Sequence, residues 1–339
     1  MRRPLTIGGA ALAVGVLLAS SACAQDAGSA GGGGGGGEFP TKRTEFVTAG
    51  DPGGGLDIFA REIKQALEKS DQLDTQLDIT NLGGGGGNAA MAVGRQRKGS
   101  ADTLIGNSNR VYLNPLIGTT DLALDQDFVP VAQLMTEYVV LAVRADSPYK
   151  SAQDVIDALK KDPRALSLGV GTVPSDDQLH LLRLGEEIGV DSGKLNIVAF
   201  SAGGDLMTQL LGGQVDAVST GLSETLPQVE AGEVRLLAIT APERLDGPAA
   251  EVPTWTELGI DLVVDHWRGV FGPADMPAEA VTYWEETFAE LVKTDAWADV
   301  VERNQWTTLY RDSEEFGAVL EEESGTAEEL LGEVGLVKK

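Results

Sequence analysis

The sequence predicts an α/β fold built as two domains, and three observations carry that expectation. Short apolar segments of strand length alternate with helical periodicities from Glu45 onward, the pattern of an α/β layer structure. The alternation runs through a first set and then a second that repeats it in kind but not in residues. The stretch from Thr44 to Lys339 is also longer than one ordinary hydrophobic core.

Residues 1–22 read as a signal peptide. Arg2 and Arg3 precede an uncharged run from Thr6 to Ala22, which closes on Ser20-Ser21-Ala22-Cys23. Small residues before Cys23 fit a lipidation site, although Ser20 stands where such a site usually carries Leu. A plain signal cleaved near Ala22 or Ala24 is the alternative. Cys23 is the only cysteine, so no disulfide forms within one chain. The apolar run is slightly short for a membrane span, which needs about 20 residues. Residues 23–43 then form a lipidated, glycine-rich tether. Ala24 to Gly37 is small and polar, ends in seven glycines, and spans about 20 Å as a flexible coil.

In the first set, Glu45–Ala49, Leu77–Asn81 and Thr103–Asn107 are strand candidates. Leu56, Phe59, Ile63, Ala66 and Leu67 recur at helical spacing between the first two, with Glu62, Lys64 and Glu68 on the opposite face. Two glycine-rich turns sit where strand hands over to helix: Asp51-Pro52-Gly53-Gly54-Gly55-Leu56-Asp57, and Asn81-Leu82 followed by Gly83 to Gly87 and Asn88. Such turns bring bare backbone N–H groups and a helix N-terminus close to a ligand. Apolar extended segments follow at Val129–Met135 and Tyr138–Arg144, and Ser147-Pro148 opens a helix over Ala152–Lys160.

The second set comprises a strand over Ala165–Val170, a helix over Gln178–Ile188, a strand over Asn196–Phe200, a helix over Leu206–Leu211 and a strand over Ala217–Thr220. Strand Val234–Thr240 and the apolar stretch Leu262–Val264 complete it, and Trp267–Phe271 carries the chain back. A helical region from about Ala278 to Val337 would cover the first domain. The boundaries expected are 44–142 plus 266–339 for lobe 1 and 143–265 for lobe 2.

Charge narrows the partners. With 52 acidic against 26 basic residues the formal net charge is −26, which disfavours nucleic acid and anionic membrane surfaces. Catalytic chemistry finds little support. His180 and His266 are the only histidines, and no zinc spacing, P-loop, dinucleotide fingerprint or nucleophile elbow is present. Asp121, Asp125 and Asp127 alternate loosely but lack the glycine and distal glutamate of a calcium loop. No catalytic residue, metal or cofactor is expected.

The stretches Pro52–Arg61, Asn81–Gly87 with Ala90, Asn107 through Asn114-Pro115, Leu211-Gly212-Gly213-Gln214-Val215-Asp216 and Trp267–Ala274 together resemble the extracytoplasmic solute receptors of tripartite tricarboxylate transporters, and they occur in that family's order. The resemblance implies a two-lobed, type II periplasmic-binding-protein-like fold, two α/β domains joined by crossing strands around a ligand cleft. It implies capture of a small di- or tricarboxylate or related acid, and delivery to membrane permease subunits. Combined with the leader, it places the protein outside the cytoplasm, as a monomer anchored by lipid at the outer face of the membrane or in the periplasm.

The resemblance also implies ligand contacts at Pro52, Gly53, Gly54 and Asp57, at Asn107 and Asn109, and at Thr172, Ser201, Ala202 and Gly203 on the second lobe. Gly171 to Asp177 departs from the family's usual small-residue loop. Several of these residues have structural alternatives. Asp57 could complement the helix dipole, Asn107 and Asn109 could form turns, and Ser201 could cap a helix. Arg268 could grip a second carboxylate through a bidentate pair, or instead bridge to Asp265 or a nearby surface acid. A ligand-sensing subunit for a membrane signalling protein is the first functional alternative, and a secreted hydrolase or isomerase the second.

Overall fold

The computed structural model describes residues 42–50, 52–200 and 203–338. The expected signal peptide, Cys23 and nearly all of the tether lie outside the described residues, as do Ser201 and Ala202.

The chain opens with β1 (Arg43–Thr48), α1 (Gly55–Lys69), β2 (Gln76–Asn81), α2 (Asn88–Gln96), β3 (Thr103–Asn107), α3 (Arg110–Leu116) and the single turn α4 (Leu124–Asp127). A 17-residue strand, β4 (Phe128–Arg144), leads to α5 (Ala152–Lys161), β5 (Ser167–Val170), α6 (Asp176–Glu187), β6 (Asn196–Ala199), α7 (Gly203–Leu211), β7 (Ala217–Gly221), α8 (Leu222–Glu230) and β8 (Val234–Ile239). The chain returns through β9 (Asp265–Pro273) and ends in α9 (Ala278–Leu291), α10 (Asp295–Asn304), β10 (Thr307–Arg311) and α11 (Ser313–Glu333).

Strand β4 joins the two halves of the sheet. Its first part, to Tyr138, pairs antiparallel with β9 and also with β10; from Val139 onward its partners are β7 and β8. On one side β9 continues to β3, β1 and β2, and on the other β7 continues to β5 and β6. Within each half β1, β2 and β3 run parallel to one another, as do β5, β6 and β7. The two extended segments expected around residues 129–144 are therefore one strand. Its register shifts at Pro130/Ala132 and Gln133/Met135, which is where the period-2 pattern breaks.

Helices cover both faces of each half, so alternate strand residues enter different cores. Leu104 and Val270 pack with Phe46, Phe59, Trp284 and Phe288 under α1 and α9, whereas their neighbours Ile105 and Phe271 join Trp267, Phe316 and Leu331 beneath α11. In the other half Leu141 and Val143 pack with Val155, Leu168 and Trp255, while Val140 and Ala142 face Leu206, Val218 and Ile239. Each fully buried side chain of this size contributes roughly 1.5–3 kcal/mol.

The observed elements differ from expectation at several points, the single turn α4 among them. Residues Leu262–Val264 lie outside any strand, and β10 interrupts the expected helical C-terminal region. Helices α3 and α8 were not expected; each carries an internal proline, Pro115 or Pro227, within its own span.

Candidate functional site

The loops that follow β1, β2, β3, β5 and β7 open around one cleft, with β9 at its floor. Its volume is about 450 Å³, and it is lined by Gly54, Gly55, Gly83 to Gly86, Ser108 to Arg110, Thr172, Asp177, Gly221, Glu224, His266 and Arg268, among others. A crevice beyond the carboxyl ends of parallel strands is where open α/β sheets bind ligands, because helix N-termini gather there.

The β1–α1 turn supplies the first wall. Gly53 holds a left-handed φ of 81°, a conformation glycine adopts without a steric penalty. Its N–H donates to Asp57 Oδ2 at 2.8 Å. Helix α1 starts after Gly54 with no side chain capping its first turn, and Gly54 and Gly55 face the cleft. The second glycine run is ordered from below, since Asn114 Nδ2 donates to Gly86 O at 3.1 Å and to Asn88 Oδ1 at 2.8 Å.

The opposite wall is made by α6 and α8, and both carry acids in their first turns. Ser175 caps α6 through Gln178 N, and Asp176 and Asp177 follow it. Asp177 Oδ2 accepts from Gly171 N at 3.1 Å. Glu224, in the first turn of α8, accepts from Thr220 Oγ1 at 2.5 Å. Burial pushes the Asp177 carboxyl up to about 7, and neighbouring Glu224 and Asp176 add to this against the pull of His266. Helix N-termini on this side are thus already complemented by carboxylates of the chain itself.

Cationic side chains stand between the walls. Arg268 Nη2 donates to Glu137 Oε1 at 2.6 Å, with both side chains buried. Ser223 Oγ donates to Glu137 Oε2 at 2.5 Å, and the guanidinium lies 5.7 Å from the Trp306 ring centre, within cation–π range. Burial works against ionisation of Glu137, but Arg268 and His266 outweigh it and lower its pKa. His266 Nδ1 lies 2.8 Å from Asp176 Oδ2. Burial opposes the charged imidazole, yet Asp176 and Glu137 prevail and raise its pKa.

Arg110 is placed differently. Its Nη2 donates to Thr172 Oγ1 at 3.3 Å, and no ion-pair partner stands within 4 Å among the described residues. Burial lowers its pKa, with Asp177, Asp176 and Glu224 acting in the other direction. Together with the hydrogen bond from Asn109 Nδ2 to Asp176 Oδ1, the Arg110–Thr172 contact links the β3–α3 loop to the β5–α6 loop across the cleft.

Of the residues singled out from the sequence, Gly54, Asn109, Thr172 and Arg268 line this cleft. Pro52 and Gly53 are exposed and outside the lining. Asp57 is buried and receives bonds from Gly53 N, Arg61 Nε and Asn81 Nδ2, so its carboxylate ties the turn to β2. Asn107 lies fully buried below the loop, its Oδ1 accepting from Ser108 N and its Nδ2 without a partner among the described residues. Gly203 begins α7. Arg110, Asp177 and Glu224, which line the cleft, and Glu137, buried in β4 beneath it, carried no sequence signal of their own, because they come together only when distant segments converge. Among the described residues no cluster of His, Cys, Asp and Glu is arranged to hold a metal, and no helix is long and apolar enough to cross a membrane.

Comparison with known proteins gives a consistent result. The model of the tripartite tricarboxylate transporter family receptor matches residues 59–336. A protein from the tcbD-tcbE intergenic region of a Pseudomonas species is 27% identical, covering 78% of this chain and 77% of that one. Among solved structures, a TctC solute-binding protein from Polaromonas superposes with a TM-score of 0.71 at 25% identity, covering 87% of this chain and 99% of its own. MatC from Rhodopseudomonas palustris with bound malate gives 0.72 at 24% identity, covering 86% of this chain and 100% of its own.

Proposed function

The chain belongs to the tripartite tricarboxylate transporter receptor family, and from that premise we propose that it captures a small organic acid in the cleft between its lobes and hands it to the permease subunits of such a transporter. Receptors of this family bind solutes and are not enzymes. The bound acid, the lipid anchor and the monomeric state are our own reading of this chain.

One observation carries the proposal: the Arg110 guanidinium, with no carboxylate within 4 Å among the described residues, faces a cleft whose adjoining wall is the uncapped first turn of α1. A carboxylate entering there exchanges water for charge-assisted hydrogen bonds, which offsets a desolvation penalty of several kcal/mol. The distant negative charge of the protein is screened by salt over about 10 Å, so these local donors dominate. On this reading Gly54, Gly55, Asn109, Arg110 and Thr172 touch the ligand. Pro52, Gly53 and Asp57 shape the turn, Asn107 supports the loop, and Arg268 holds the floor. On the family resemblance, Ser201, Ala202 and Gly203, the last at the start of α7, would contact the ligand from the second lobe.

We assign lobe 1 to 44–142 plus 266–339 and lobe 2 to 143–265; β4 crosses between them and exchanges its partners at Tyr138/Val139, a little before that boundary. Ligand bridging the lobes favours the closed form through its greater affinity for that form. Cys23 and the tether through residue 43 would keep the receptor beside its permease. Calorimetric titration with citrate, succinate, glutamate, aspartate and terephthalate tests the central claim. Saturable binding of at least one acid is expected, and binding of none overturns it.

A further inference from the structure

We propose that the wall formed by α6 and α8 is a subsite for a cationic group, so that the ligand is an amino-carboxylate zwitterion rather than a simple dicarboxylate. This rests on the carboxylate reading above and names the substrate class of the same cleft.

Charge around the cavity is only partly paired. Glu137 is matched by Arg268 at 2.6 Å, and Asp176 by His266 at 2.8 Å. After those pairs are set aside, three charged side chains remain around the cavity: Arg110 on one side, Asp177 and Glu224 on the other. None of the three has an ion-pair partner within 4 Å among the described residues. Asp177 is 7% exposed and receives one backbone hydrogen bond, and Glu224 receives one hydroxyl. Their mutual repulsion is one of the influences that hold the Asp177 carboxyl up near 7. His266, which pulls on Asp177, is already paired with Asp176, and Arg110 acts on both acids without an ion pair within 4 Å among the described residues, so a cation bonded directly to them would offset more of the cost of their burial.

Arg110 and the side-chain-uncapped first turn of α1, whose Asp57 is engaged with Gly53, Arg61 and Asn81, offer donors to an anion, while Asp177 and Glu224 offer acceptors to a cation, and they meet around the same 450 Å³. A second ligand carboxylate directed at α6 and α8 would meet two acids and helix termini already complemented by them. An ammonium placed there would be bonded by both carboxylates. The like-charge wall therefore selects against dicarboxylates as well as for zwitterions.

Matched pairs make the test: L-aspartate against succinate, L-glutamate against glutarate and 4-aminobutyrate against butyrate, each titrated calorimetrically into the whole protein. The amino member of at least one pair is expected to bind about tenfold or more tighter than its partner. The substitutions Glu224→Gln and Asp177→Asn are expected to reduce that preference, read as the ratio of the two affinities within a pair, about tenfold each. Thermal unfolding identifies a variant that fails to fold, and the other variant then decides. Equal or tighter binding of the unsubstituted acids, or a preference untouched by E224Q and D177N, overturns the subsite while the carboxylate function stands. Binding by no member of any pair overturns both.

Discussion

Arg268 donates to Glu137 at 2.6 Å, tying β9 to β4 just before β4 exchanges its partners at Tyr138/Val139. The pair is buried under the cleft, so the same contact shapes the floor of the site and fixes the junction of the two half-sheets.

Removing one member leaves the other charged and buried. Arg268→Ala is expected to lower stability by about 3–5 kcal/mol, whereas Arg268→Met combined with Glu137→Leu should recover most of that loss. Urea denaturation of the two single variants and the double variant gives the coupling directly. A single Arg268→Ala variant as stable as the parent protein would show that the pair does not hold the junction.

Gly55 provides the close approach that lets this floor form. A Cβ built there would lie 2.7 Å from Arg268 Nη2, and the guanidinium cannot move without leaving Glu137. Gly55→Ala is expected to cost about 1–3 kcal/mol as an overpacked substitution and to weaken ligand binding, although alanine is the better helix former. Denaturation and titration on the same sample check both parts. Retained affinity with raised stability would mean that Arg268 adapts.

Arg110 should behave in the opposite way. Because no ion-pair partner stands within 4 Å among the described residues, Arg110→Met removes the hydrogen bond to Thr172 and is expected to cost only about 0.5–1.5 kcal/mol of stability. Ligand affinity should fall by about 2–5 kcal/mol, the loss that follows truncation of a desolvated charge pair. Chemical denaturation separates the two effects. A variant that binds as before would move the anion contact to the backbone turns alone.

Much of the architecture is legible in the sequence because local patterns coincide with tertiary needs. The helical stripe Leu56, Phe59, Ile63 is buried in α1 as its spacing requires, and the glycine turns fall after β1 and β2. Other features depend on long-range relations. Trp267 to Phe271 is readable as extended, but its register against β4 is not. The short strand β10 is stabilised by pairing with Gln133 to Thr136, which no local window contains. The site divides along the same line: Gly54 announces itself through backbone chemistry, whereas Arg110, Asp177 and Glu224 belong to separate helices and become neighbours only through folding. Asp57 shows the limit of position alone, because its place in the first helical turn is shared by ligand-facing and turn-bracing carboxylates, and only its three bonding partners reveal the latter geometry.

His180 provides a pH-dependent test of the second half of the sheet. It is fully buried, its Nε2 accepts from Trp255 Nε1 at 2.9 Å, and its Nδ1 lies 2.8 Å from Ser219 Oγ. Trp255 has only a proton to give, so the neutral imidazole carries its own proton on Nδ1 and donates to Ser219. Burial, with a smaller contribution from Arg183, lowers its pKa from 6.5 to about 3. A histidine that stays neutral when folded but charges when unfolded stabilises the protein above the unfolded value, and that contribution is lost as pH falls toward the folded value. Between about pH 7 and pH 5 the expected loss is about 2 kcal/mol. The buried Asp177 and Glu323 carboxyls, both raised to about 7, act with the opposite sign over part of this range, so the parent protein alone cannot isolate the histidine. Comparing it with His180→Gln does, since the acids are common to both. The stability gap between the parent protein and the variant should narrow by about 2 kcal/mol on acidification across that window, and a gap that stays constant would show that His180 titrates alike in the folded and unfolded chain.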